Sequence, residues 1–250
     1  MRPTFSIIIA VFNGEKTIER AIASVLNQSY SNFELIIIDG DSRDNSKEII
    51  KKYNQYIKYW VSEPDQGVYE AWNKGIKQSS GEWISFLGAD DELYRDALYN
   101  YHQYIRARSN TALDYVSSKV ALVSEGRIFR IFGERWNWKK FRYSMQVAHV
   151  GSIHHLNLYQ RYGIYDESYK IVGDYEFLLR VGNKLNAGYI DAITANMCPG
   201  GISDSYRAIL EAARAKFFTA RISMILVILG AWMAIVKLFL RRGMSKFKIL

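Results

Sequence analysis

Five aspartates, Asp39, Asp41, Asp65, Asp90 and Asp91, sit in three short polar runs, DGDS (39–42), EPDQG (63–67) and GADD (88–91), each close behind a stretch of apolar residues. Carboxylates gathered at one place repel each other and raise each other's pKa unless a cation or hydrogen-bond donors intervene. A divalent metal is the economical answer. Hard carboxylate oxygens suit magnesium or manganese, ions that keep several waters and complete their shells with substrate phosphates. Asp, Gly, Asn and Ser are also good turn and cap residues, so any one run reads equally well as loop chemistry. Three in succession point to a site.

The elements that must carry these runs follow from periodicity. Residues 5–11 (FSIIIAV) are continuously apolar and β-branched, as in a strand covered on both faces. Asn13-Gly14 breaks the run, and residues 17–28 have helical apolar spacing. A second strand, 34–38, ends on Asp39, and Ser42 or Asp44 caps a helix through 45–53. A third strand, 57–61, leads through EPDQG to a helix over 68–78, and a fourth, 82–87, ends on GADD before another helix. This alternation predicts right-handed βαβ units and a mostly parallel central sheet with helices on both faces, an α/β fold. In such a sheet the ligand site lies outside the carboxyl ends of the strands, where the aspartates emerge. No GxGxxG and no P-loop follows the first strand, so the dinucleotide fingerprint is missing. Further on, 113–123 and 127–132 form a hairpin about Ser124-Glu125-Gly126, and no linker divides the chain before residue 206.

With 250 residues the chain suffices for one sizeable domain, here 1–206, plus an appendage, 207–250. Apolar residues make up 49% and Pro only 3 residues, which excludes disordered and collagen-like classes. A single cysteine, Cys198, excludes a disulfide framework or thiolate cluster. The net charge of +8 resides wholly beyond residue 206, where nine basic side chains accompany one acid, Glu211. That segment also holds the longest apolar run, 222–236, which continues past Lys237 to residue 240. At about 1.5 Å per residue it is marginal against a hydrocarbon core of about 30 Å. Arg221 and Arg241-Arg242 flank it, so the expectation is a membrane-attached apolar C-terminal helix, spanning or re-entrant, with basic flanks on anionic lipid. A buried core helix or a subunit contact is the alternative. The N-terminus lacks the series of features of a secretory signal, so the body is expected to be cytoplasmic.

Five motifs, SIIIAVFNG (6–14), IIIDGDSRDNS (36–46), SEPDQGVYEAWNKGI (62–76), GEWISFLGADD (81–91) and VGDYEFLLR (172–180), occur in the order found in family 2 glycosyltransferases. The chain resembles that family over residues 4 to about 204. Its members are inverting enzymes of the GT-A fold that use a nucleoside diphosphate sugar. The block at 63–76 and GGIS (200–203) look most like enzymes of bacterial exopolysaccharide, capsule or O-antigen synthesis. The resemblance implies that the segment 10–13 (Ala10, Val11, Phe12 and Asn13), with Asp39 and Asp65, surrounds the nucleoside, Asp41 being a neighbouring candidate. A carboxylate facing a base N–H makes a charge-assisted hydrogen bond that selects a base. The DxD motif maps to 88–90, with Gly88 in place of the first aspartate, so Asp90 is the implied ligand for magnesium or manganese and Asp91 a second carboxylate. The ion would bridge the donor phosphates. Asp174 is the implied general base, with Glu176 behind it, and helix N-cap its simpler role. Among His102, His149, His154 and His155, which carry no zinc pattern, His149 is implied to reach the diphosphate or the acceptor. Gly201 and Ser203 would belong to a loop closing over the donor.

The aromatic and basic stretch 135–143 suits an interfacial helix at a membrane, a core helix, a sugar face or a single-stranded nucleic acid. The expected reaction is transfer of one sugar from a UDP- or GDP-linked donor to a lipid-linked saccharide at the cytoplasmic face of the bacterial inner membrane, without a nucleic-acid partner. A nucleotidyltransferase and a non-catalytic membrane scaffold of the same fold stand as alternatives.

Overall fold

A computed structural model describes residues 2–124, 126–198, 201 and 205–246. In chain order the elements are β1 (Phe5–Val11), α1 (Ile18–Leu26), β2 (Phe33–Asp39), α2 (Ser46–Lys52), β3 (Tyr59–Ser62), α3 (Val68–Gln78), β4 (Trp83–Gly88), β5 (Glu92–Leu93) and α4 (Ala97–Arg106). Then follow β6 (Tyr115–Ser124), β7 (Arg127–Phe132), α5 (Trp138–Phe141), β8 (Ser152–His155), α6 (Asn157–Tyr162), α7 (Gly173–Val181), β9 (Ala187–Met197), α8 (Tyr206–Phe218) and α9 (Met224–Lys246).

The strands form one sheet in the order β3-β2-β1-β4-β8-β6-β9-β5, with β7 paired to β6. Strand β1 explains its own composition. Ile7 and Ile9 join one buried cluster, with Ile22, Leu35, Ile37 and Trp83, whereas Ile8 joins the opposite one, with Ile36, Ile38, Phe86 and Phe177. Alternate side chains point to opposite faces and both faces are covered, so every position is apolar. Helices α1 and α4 pack on the first face, and α3, α6 and α7 on the second.

The sheet is mixed rather than mostly parallel. β3, β2, β1 and β4 run parallel, as do β6 and β9, but β8 runs antiparallel to both β4 and β6, β7 antiparallel to β6, and β5 antiparallel to β9. The parallel expectation came from the first four strands. Strand β8 (SIHH) has too few β-branched residues to announce itself; its pairing with β4 (Ile84↔His154) and β6 (Val116↔Ile153) makes it a strand.

The stretch 135–143 is also corrected. Only one turn of helix, α5, forms there; Phe141 is fully buried, and Trp136 and Trp138 pack against the same core. The Tyr175 hydroxyl donates to the carbonyls of Phe141 and Arg142, so Trp136, Trp138 and Phe141 serve the core, while Tyr143 is exposed.

The C-terminal run does form a helix, α9, but among the described residues no helix is long and apolar enough to cross a membrane, and the spanning alternative is set aside. Lys237 interrupts the run, and α9 packs on α8; Val227 and Leu238 are buried while Ile225 (73% exposed) and Trp232 (63% exposed) lie open.

Candidate active site

Parallel pairing decides which loops meet. Val11 lies opposite Asp39 and Ala10 opposite Gly88, so the ends of β1, β2 and β4 adjoin. The β1 and β2 loops are then stitched together. Asn13, at φ 51, donates its N–H to the Ser42 hydroxyl (2.7 Å) and accepts Arg43 N–H on its side-chain oxygen (2.9 Å). Gly14 N–H reaches the Ser46 hydroxyl and Glu15 N–H reaches Asp44.

The three candidate nucleoside carboxylates separate clearly. Asp39 is fully buried and accepts hydrogen bonds from Ser42 N–H (3.0 Å), the Ser42 hydroxyl and the Ser62 hydroxyl (2.6 Å). Both its oxygens serve the loop. Asp41, at φ 63, pairs with Lys47 at 3.1 Å and does not line the cavity beside it. Asp65 does line it. One of its oxygens accepts Gly67 N–H (2.9 Å), and the other stands over Gly40, 2.7 Å from where a Cβ would be. The loop carrying Asp65 is fastened to α3 by Gln66 N–H on Glu70 and by Lys74, which bridges Glu63 and Glu70. Burial raises the Asp65 pKa from its ordinary value.

The cavity, about 470 Å³, is walled by Ala10, Val11, Phe12, Val68 and Ala71, with Asp65 as the one carboxylate that lines it among the described residues. Phe12 is 65% exposed at its rim. Apolar walls around a single acceptor suit a flat ring that presents an N–H.

One strand away, β4 ends on Gly88. A Cβ there would stand 2.6 Å from Oδ2 of Asp91 and 2.9 Å from Oδ1 of Asp90, so the two carboxylates flank the space an aspartate at 88 would have filled. Asp91 is buried, accepts Cys198 N–H at 3.1 Å, and has its pKa pushed up to about 7 by burial and then by the Asp90 charge. Among the described residues no group of three or more His, Cys, Asp or Glu could hold a metal by itself. Two carboxylates whose oxygens flank one point nevertheless fit a hydrated magnesium or manganese ion, which takes one or two carboxylates and completes its shell with phosphate.

Asp174 lies in the first turn of α7, whose N-cap is Val172, so it is not itself the cap. The Tyr69 hydroxyl donates to Asp174 Oδ1 (3.0 Å) and to the Ile171 carbonyl (2.8 Å). Gly173 permits this approach: a Cβ there would meet the Tyr69 ring at 2.9 Å. Glu176 is buried and engaged by Arg180 and the Thr219 hydroxyl, a structural position. His149 packs against the rings of Trp72 (4.6 Å) and Phe86 (5.1 Å), which also touch each other (4.9 Å), and neither of its nitrogens has a hydrogen-bond partner among the described residues. Burial lowers its pKa, opposed by the charge of Asp174, so it is neutral at pH 7. Gly201 is exposed, and Ser203 lies outside the described residues.

Sequence reasoning passed over Gly40, Tyr69 and Trp72. A signal existed for the last two, which stand three apart in the motif 62–76 and so share a face of α3, their rings 5.3 Å apart.

A sheet whose β1, β2 and β4 ends meet at a ring-sized cavity beside an acidic pair defines a GT-A type of glycosyltransferase. Two solved structures share this fold: Staphylococcus aureus TarS 1-349 in complex with UDP (TM-score 0.68, 19% identity, 90% of this chain and 68% of that one), and the mannosyltransferase PcManGT from Pyrobaculum calidifontis in complex with GDP-Man and Mn2+ (TM-score 0.64, 15% identity, 95% and 75%). The chain belongs to glycosyl transferase family 2, whose family model matches residues 6–175. Curated relatives include a PGL/p-HBAD biosynthesis glycosyltransferase of Mycobacterium bovis, 27% identical over 210 residues and covering 81% of this chain and 80% of the relative. Another is the GalNAc(5)-diNAcBac-PP-undecaprenol beta-1,3-glucosyltransferase of Campylobacter jejuni, 32% identical over 134 residues, 52% of this chain and 42% of the relative.

Proposed function

We propose that this glycosyltransferase moves one sugar, with inversion, from a UDP- or GDP-linked donor to a lipid-linked saccharide. The observation that carries the donor half is Asp65 standing over Gly40 in a cavity one strand from Asp90 and Asp91. The base enters between Phe12 and Val68 and gives an N–H to the free Asp65 oxygen. Asp39 and Asn13 hold the loop walls rather than the ligand. Solved neighbours bound to UDP, UDP-GlcNAc and GDP-Man support this class of donor.

Asp90 and Asp91 would hold a magnesium or manganese ion. When bound, the ion supplies positive charge for the departing diphosphate. Asp174, oriented by the Tyr69 hydroxyl, takes the proton from the acceptor hydroxyl as that oxygen attacks the anomeric carbon from the side opposite the diphosphate. Neutral His149, near the charge of Asp174 and without a hydrogen-bond partner among the described residues, donates an N–H to the diphosphate or the acceptor.

The acceptor half of the reading rests on the Campylobacter relative, whose name specifies an undecaprenol-linked acceptor, and on the open apolar side chains of α9 with their basic neighbours. We place α9 in the plane of the cytoplasmic leaflet of the bacterial inner membrane, its basic residues on anionic headgroups. Calorimetric titration with UDP, GDP and their common sugar conjugates, with manganese and then with chelator, tests the donor site. Metal-dependent binding of one nucleotide, weakened by Asp90→Asn, is the expected result; binding of none overturns the reading.

A further inference from the structure

Glu211 lies on α8, beyond the residues the family model matches, and is the one acid of the basic C-terminal segment. Its carboxylate accepts three consecutive backbone N–H groups. Lys170 donates at 3.1 Å to each oxygen, and Ile171 (2.8 Å) and Val172 (3.2 Å) donate to Oε2. Three adjacent amides converging on one anion form a nest, which positions backbone as firmly as a bound ion does. Val172 is the N-cap of α7, and Asp174 follows two residues later.

The same segment is gripped from its other side. The Ile171 carbonyl accepts the Tyr69 hydroxyl, which also donates to Asp174. Glu211 and Tyr69 thus hold one peptide between them, one by its N–H and the other by its C=O. Three residues along α8, Arg214 donates to the Ser168 hydroxyl (2.9 Å) and lies 4.5 Å over the Tyr169 ring, and the Lys170 side chain stands 3.8 Å from a Cβ position on Gly67, at the rim of the nucleoside cavity. Residues 168–172 therefore run from that cavity to Asp174 with α8 as their backing.

We propose that Glu211 is a positioning residue for the transfer reaction: by fixing residues 170–172 it holds Asp174 in register with Tyr69 and the donor, so that α8 completes the catalytic unit. This rests on Asp174 being the general base. A displacement of about 1 Å in a reacting group costs on the order of 10²-fold in rate, and the nest is the kind of contact that prevents one.

The test uses the full chain and compares Glu211→Ala, Glu211→Gln and Asp174→Asn. Hydrogen exchange at the amides of 170–172 is expected to quicken at least about tenfold in Glu211→Ala and to stay near wild type in Glu211→Gln, which keeps an acceptor oxygen for the nest. Release of UDP or GDP from UDP-glucose, UDP-N-acetylglucosamine or GDP-mannose is expected to fall at least about tenfold in Glu211→Ala, with nucleotide Kd within about twofold, and to recover in Glu211→Gln. Unchanged exchange at 170–172, or turnover of Glu211→Ala within about twofold of wild type while Asp174→Asn is inactive, overturns the positioning role alone. Wild-type turnover in Asp174→Asn overturns the general-base reading instead. Should Glu211→Ala not fold, Glu211→Asp, one methylene shorter, is read for the same split between turnover and nucleotide affinity.

Discussion

The carboxylate of Asp65 occupies the space a side chain at position 40 would need, with one oxygen 2.7 Å from the Cβ position of Gly40. Two loops from different strands therefore share one acceptor site, and the glycine is as much a part of it as the acid. Gly40→Ala is expected to push Asp65 aside and weaken nucleotide binding by about tenfold or more, and Asp65→Asn to do the same by removing a charge-assisted bond of about 1.5–3 kcal/mol. Calorimetry with UDP and GDP checks both; unchanged affinity in Asp65→Asn would sink the base-reading role.

Asp91 gives a pH signature. Its folded-state pKa of about 7 lies above the ordinary 3.8, so its contribution favours the fold below pH 3.8 and is lost as pH rises through 7. Between pH 5 and 8 without divalent ions, melting temperature should fall, and Asp91→Asn should flatten that slope. Manganese should flatten it too, by returning a counter-charge to the pair. A slope identical in wild type and variant refutes the account.

His149 separates packing from chemistry. His149→Phe preserves an aromatic ring against Trp72 and Phe86 and removes two nitrogens with no hydrogen-bond partner among the described residues, so stability at pH 8 should hold or rise while turnover falls about tenfold or more. The depressed pKa values of His149 and His154 stabilise the fold above about pH 6.5, and that stability is lost as pH falls below it. Thermal melts from pH 8 to 5 should show a smaller acid loss in the variant.

Asp174→Asn should leave nucleotide affinity near wild type and lower turnover by about 10²–10⁴-fold. Tyr69→Phe removes only the hydroxyl that orients it, and the milder loss expected, about tenfold, should appear in kcat rather than in nucleotide Kd.

Deletion of residues 223–250 removes α9 and leaves α8 with Glu211 in place. Sedimentation with vesicles rich in phosphatidylglycerol should be lost while UDP or GDP binding persists. Continued sedimentation of the shortened chain would exclude α9 as the membrane contact.

Much of this molecule is legible in local pattern. Runs of β-branched residues in 5–11 and 34–38 must be strands covered on both faces, Asn13-Gly14 must break the first, and acids behind successive strands must crowd one sheet edge. The five motifs identify the family and direct attention to Asp65, Asp90 and Asp174. Tertiary structure alone decided the rest. Asp39 and Asp65 are the same residue type in similar loops; only the hydroxyls of Ser42 and Ser62 turn the first inward, and only the bare Cα of Gly40 leaves room for the second. Strand β8 exists because β4 and β6 flank it, and α5 is one turn long because its aromatics fall into the core. Glu211 looked like a lone acid in a basic tail until α8 folded back over residues 170–172. Periodicity reports which face of an element is apolar, a property of neighbours within a few residues. Hydrogen-bond partners tens of residues apart are set by sheet register and helix docking, and no local pattern carries that information.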